Sequence, residues 1–134
     1  MADEYDLTRD RRRQLTVAPN PRSGLDYVVT LGGTLSLEGM PGQVTARVRY
    51  IPDRDTLAAP VFTRYLAALA NAPWPDLETL GAAMLGDLNS ELVPRWMQVV
   101  LLTTRSDDGE YSVLLEDRQP KWDNPRLLGR LKPY

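Results

Sequence analysis

Residues 44–53 read Val-Thr-Ala-Arg-Val-Arg-Tyr-Ile-Pro-Asp and alternate without a fault. Val44, Ala46, Val48 and Tyr50 share one side, while Thr45, Arg47 and Arg49 share the other. A side-chain period of two predicts a strand with one buried and one wet face. Pro52 ends it, because proline has no N–H to continue a ladder. Upstream, residues 25–37 form a second alternating run, with Tyr27, Val29 and Leu31 opposite Val28 and Thr30. Gly32-Gly33 within that run predicts a bulge or bend. The Gly39-Met40-Pro41-Gly42 stretch predicts a turn, so the two runs read as an antiparallel pair.

The period then changes. Pro60 suits the first turn of a helix, where its missing N–H costs nothing. Phe62, Leu66 and Leu69 mark one stripe, with Val61 and Tyr65 beside it, up to Asn71-Ala72-Pro73. A second helix begins at Pro75-Asp76 and carries Leu77, Leu80, Met84, Leu88 and Leu92 at spacings of three and four, until Pro94 closes it. Residues 96–104 are a third strand, apolar on both faces and so either central or covered by a partner. Ser106-Asp107-Asp108-Gly109 predicts a hairpin turn, and Tyr111, Val113 and Leu115 alternate along a fourth strand.

The order is β-β-α-α-β-β, which predicts an α+β fold with a four-stranded antiparallel sheet and helices on one face. Open sheet edges are usually covered or paired, and pairing between copies would close a barrel, so a homo-oligomer is expected. Residues 25–116 form this domain. Residues 1–24 read as a polar arm whose Arg9, Arg11, Arg12 and Arg13 make either a patch for an anionic partner or, more simply, a solvated tail. Residues 117–134 read as a Pro-rich, mildly basic tail, whose Leu127-Leu128 pair is placed to dock on the body or on a neighbouring subunit.

At 134 residues, 43% hydrophobic and 25% charged, the chain has the make-up of one globular domain. A net charge of -2 speaks against a general nucleic-acid surface. The start lacks the pattern of a signal peptide, and the apolar run 99–102 is too short to span a bilayer; a soluble cytoplasmic protein is expected. The chain contains neither cysteine nor histidine. Thiolate nucleophiles, imidazole bases, disulfides and Cys/His zinc sites are therefore excluded. Any catalysis rests on carboxylates, Lys, Tyr, Ser, Thr or a partner chain.

Five pieces carry a resemblance: Asp26-Tyr27, Arg49-Tyr50-Ile51-Pro52-Asp53, Tyr65-Leu66, Asp87-Leu88 and Pro94-Arg95-Trp96. In this order and spacing, over residues 20–104, they resemble the tunnelling-fold superfamily. Within it they resemble the NADPH-dependent 7-cyano-7-deazaguanine reductases, the nitrile reductases of queuosine biosynthesis. The resemblance implies a tunnelling fold whose barrel closes by oligomerisation. It also implies three chemical parts: a loop cysteine that attacks the nitrile, helped by an aspartate; a Glu-Ser-Lys-Ser-x-Lys-x-Tyr motif for the NADPH phosphates; and a His-Glu pair that holds the base.

The chain departs from that pattern. The loop after the first strand is Ser36-Leu37-Glu38-Gly39-Met40-Pro41-Gly42, with Glu38 as the only carboxylate and a poor substitute for a thiolate. The cofactor stretch is Ala58-Ala59-Pro60-Val61-Phe62-Thr63-Arg64-Tyr65, where Arg64 alone replaces the lysines, so no NADPH site is expected. The histidine of the base-holding pair is absent, but Glu78 falls where the glutamate belongs when counted back from Asp87-Leu88. The resemblance makes Glu78 an anchor for the N–H edge of a purine- or pterin-like ring, since a carboxylate accepts two parallel N–H bonds; read on its own, Glu78 is a first-turn acidic residue suiting the helix dipole. Arg47 and Arg49 either meet an anionic ligand in a tunnel or keep one sheet face wet. Trp74 and Trp122 either stack on a base or fill a core or interface.

The leading expectation is a homologue without nitrile reduction that keeps the assembly and a heterocycle pocket at subunit interfaces. The others are a scaffold subunit of a split reductase, a structural or interaction protein built on the ring, and an enzyme using Glu38 and Glu78 as acid and base.

Overall fold

The computed structural model describes residues 4–40, 42–105 and 109–133. Along the chain the elements are α1 (Glu4–Arg12), β1 (Ala18–Pro19), β2 (Val29–Ser36), β3 (Gln43–Ile51), β4 (Asp55–Thr56), α2 (Ala59–Ala70), α3 (Leu77–Leu92), β5 (Trp96–Arg105), β6 (Gly109–Arg118) and α4 (Pro125–Leu128). The four long strands make one antiparallel sheet in the order β2-β3-β5-β6, and β1 pairs with β4 in a two-stranded ladder. The two hairpins thus meet along β3 and β5, with α2 and α3 inserted between them in sequence. The fold is α+β, with β5 interior to its sheet.

The alternating pattern of β3 decides which face is covered. Val44, Ala46, Val48 and Tyr50 are all buried, together with Leu31, Leu35, Met97, Val99 and Leu101 from neighbouring strands. These side chains share one core with Phe62, Tyr65, Leu66 and Leu69 of α2 and with Leu77, Leu80, Met84 and Leu88 of α3. On the opposite face Thr30, Gly32, Thr34, Thr45 and Arg47 are exposed. Ile51, Trp96 and Val100 belong to that opposite face by register, and they are buried without joining the core under the helices.

Gly32-Gly33 does not produce the expected bulge. Pairing with β3 runs unbroken from Val29↔Tyr50 to Ser36↔Gln43. A Cβ at position 33 would stand 2.7 Å from Leu66 Cδ1 of α2, so any larger residue there requires the Leu66 side chain to move. The expected Ser106–Asp108 turn lies outside the described residues, while Gly109, which follows it, has φ of +76°.

The helix boundaries follow local chemistry. Asp76 caps α3 by accepting the Thr79 N–H at 2.7 Å, and Val93 ends it in the left-handed region at φ 44°. α2 has Pro60 in its first turn and no side-chain cap.

The N-terminal segment differs from the solvated arm expected of it. α1 packs on α2, and Leu15, just beyond α1, is buried in the main core. The C-terminal segment likewise lies on the body: Trp122 Nε1 and Asn124 Nδ2 both donate to Asp26 Oδ2, at 3.2 and 2.9 Å. Asn124 also caps α4 by accepting the Leu127 N–H. Among the described residues, no helix is long and apolar enough to cross a membrane, and no cluster of carboxylates is placed to hold a metal ion.

Candidate functional site

Glu78 sits in the first turn of α3 and is exposed. Its Oε1 accepts the Tyr111 hydroxyl of β6, and the same hydroxyl oxygen accepts the Leu77 N–H at 3.0 Å. One phenol therefore joins the start of α3 to β6 and orients the carboxylate. Among the described residues, Tyr111 is the hydrogen-bond partner of Glu78, and the carboxylate hydrogen bond raises the Tyr111 pKa above its ordinary value. The arrangement presents a fixed, solvent-facing anion at a positive helix end, capable of accepting N–H donors.

Arg47 and Arg49 lie on the sheet face that the helices leave open, so one chain does not bring them to Glu78. Arg47 is exposed. Arg49 is 9% exposed and is committed: Nε and Nη2 donate to Gln98 Oε1 at 2.9 and 2.5 Å, and Nη1 donates to the Lys132 carbonyl at 2.5 Å. Burial, with the neighbouring Arg47 charge adding to it, lowers the Arg49 pKa from its ordinary value. The C-terminal segment thus crosses one end of the open face, and Arg49 clasps it.

Glu38 is exposed on the β2–β3 loop, and Arg64 is exposed on α2. The stretch that would bind NADPH phosphates offers that single cation, and the adjoining Tyr65 points inward, fully buried on Asp87. These residues do not fit a dinucleotide phosphate site.

The most heavily bonded carboxylate among the described residues is one that the sequence offers only as part of the resemblance, Asp87. Asp87 of α3 is fully buried. It accepts the Tyr65 hydroxyl at 2.6 Å, Arg11 Nε at 2.6 Å and Arg12 Nε at 2.8 Å, with Arg11 Nη2 adding a longer bond at 3.2 Å. Arg11 also lies over the Trp74 ring, 5.5 Å from its centre, and Trp74 Nε1 donates to the Leu69 carbonyl. Trp74 is thus engaged within the fold. Desolvation and the Asp87 charge push the Tyr65 pKa well above its ordinary value, so the phenol stays a donor. This cluster fastens three helices; Asp87 and Tyr65 are buried within it, while Arg12 keeps its side chain 37% exposed.

A second hub surrounds Arg95, which follows α3. It donates to the Ser23 and Leu25 carbonyls and to Asp26 and Asp53, while Gln119 donates to Asp53 Oδ2 and to the Val93 carbonyl. Asp26 and Asp53 of the quoted resemblance therefore share Arg95, a third residue of it, as their partner, and Tyr65 and Asp87 pair with each other.

No protein-family model matches this sequence, and no curated protein matches it. Among solved structures, the chain is similar to the crystal structure of the archaeosine synthase QueF-Like in the apo form, with 16% sequence identity and a TM-score of 0.49. The alignment covers 69% of this chain and 90% of that one.

Proposed function

We propose that this chain is a tunnelling-fold homologue without nitrile reductase activity that assembles with copies of itself and binds a purine- or pterin-like heterocycle through Glu78. The observation that carries the reading is the Glu78–Tyr111 pair: an exposed carboxylate, held in place at a helix start, with capacity to accept further N–H donors. A guanine-like edge offers two parallel N–H groups of that geometry. The resemblance assigns the same residue the same task.

The loss of chemistry follows from composition. Without cysteine the thioimide has no nucleophile, and Glu38 would form a far poorer adduct. Assembly is supported by β2, an edge strand of Val-Thr-Leu-Gly-Gly-Thr-Leu-Ser whose outer side has no partner among the described residues. It carries no charge, proline or bulge to discourage pairing, which is how monomeric sheets protect an edge. Incubation with 7-cyano-7-deazaguanine and NADPH tests the first part. No cofactor oxidation is expected, and steady oxidation dependent on the nitrile would overturn the reading.

A further inference from the structure

The open sheet face and the C-terminal segment border a solvent-open cavity of about 460 Å³. Its floor is Arg49 of β3 with Trp96 and Gln98 of β5, and Leu128, Leu131 and Lys132 form the other wall. Arg49 pairs with Gln98 across the strands and Ile51 with Trp96, so Arg49 and Trp96 are diagonal neighbours. Long side chains in that relation reach one another's surroundings.

Two features of this floor point to a ligand. Trp96 is 1% exposed, and its indole Nε1–H has no acceptor among the described residues. Buried donors are almost always paired, and this unpaired indole N–H belongs to a residue that lines the cavity. Arg49 has five N–H donors, of which three bonds go to Gln98 and Lys132, so it keeps donors to offer. The charge of the lining agrees: Arg49, Arg118 and Lys132 outnumber Glu116, although Arg118 also pairs with Asp123. Leu128, Leu131 and Pro133 add apolar surface.

We propose that this cavity binds a small organic carboxylate, whose oxygens accept from Arg49 and the Trp96 indole and whose apolar body lies against Leu128 and Leu131. The site is on the opposite side of the sheet from Glu78 and does not depend on the function assigned there. A bare inorganic anion would satisfy the donors but leave the leucines without a partner. The C-terminal segment is then part of the site, held in place by the Arg49–Lys132 bond.

The test uses the full-length ¹⁵N-labelled protein titrated with benzoate and, separately, with inorganic phosphate. Trp96→Phe assigns the Trp96 indole resonance. Benzoate should shift that resonance saturably while those of Trp74 and Trp122 stay in place, and Arg49→Met should weaken binding about tenfold or more, the loss of a charge-assisted pairing. Leu131→Ala should weaken it as well and serves if Arg49→Met does not fold. Glu78→Gln should leave the titration unchanged. Absence of a saturable shift, undiminished binding in these two variants, or an equal response to phosphate would overturn the proposal.

Discussion

Tyr65 Oη donates to Asp87 Oδ2 at 2.6 Å in the interior, and through that bond α2 is fastened to α3. Arg11 and Arg12 of α1 complete the carboxylate's surroundings. Removing one partner of a buried charge group leaves the others uncompensated, which costs more than the group's net contribution. Asp87→Asn should therefore lower the unfolding free energy by about 3–5 kcal/mol, and Tyr65→Phe by about 1–2 kcal/mol. Urea unfolding checks both; a change under ~0.5 kcal/mol in Asp87→Asn would contradict the cluster's role.

Alkaline pH should expose the same bond. The Tyr65 pKa is raised in the folded state, so above the ordinary tyrosine value near 10 the unfolded chain loses its proton first. The unfolded state then binds fewer protons, and stability falls as pH rises. The contribution is fully present below that value. Tyr65→Phe should make the decline of stability above about pH 10 shallower than in the native protein, measured as urea midpoint against pH.

Two glycines on α3 should respond differently to alanine. A Cβ on Gly86 meets nothing within 4 Å, whereas one on Gly81 would stand 2.5 Å from Leu115 Cδ1. Helix propensity favours alanine by about 1 kcal/mol at either position. Gly86→Ala should show that gain in thermal unfolding, and Gly81→Ala should show less of it or a loss, because Leu115 has to move.

Arg95 draws Ser23, Leu25, Asp26 and Asp53 together. Arg95→Ala should cost about 1.5–3 kcal/mol, the range for hydrogen bonds to a charged group. Hydrogen exchange should quicken around residues 20–26 and 119–124 while the centre of the sheet keeps its protection.

Much of the sheet and both long helices were legible, because strict alternation along β3 and the spacing of Leu77, Leu80, Met84, Leu88 and Leu92 are direct marks of their periods. The ends of the chain were not. Arg11, Arg12 and Leu15 lie in a polar stretch, and nothing local distinguishes a solvated arginine from one that meets a buried aspartate on a helix more than seventy residues away. A signal existed in Asp87, a carboxylate set immediately before Leu88 of an apolar stripe, which needs a cationic partner if it is to be buried. The C-terminal segment was equally hard to place, since its attachment runs through Trp122 and Asn124 to Asp26 and through the Lys132 backbone to Arg49. Residues 47 and 49 illustrate the limit for the site: alternation put both on one face, but only the tail's path distinguishes the exposed Arg47 from the buried Arg49.

The most direct test of the proposed function is calorimetric titration of the native protein and Glu78→Gln with 7-cyano-7-deazaguanine, guanine and a pterin. The native protein is expected to bind at least one of the three, and Glu78→Gln to lose the binding while keeping its circular dichroism spectrum. Native protein that binds none of them, or a Glu78→Gln variant that binds as well as the native chain, would contradict it.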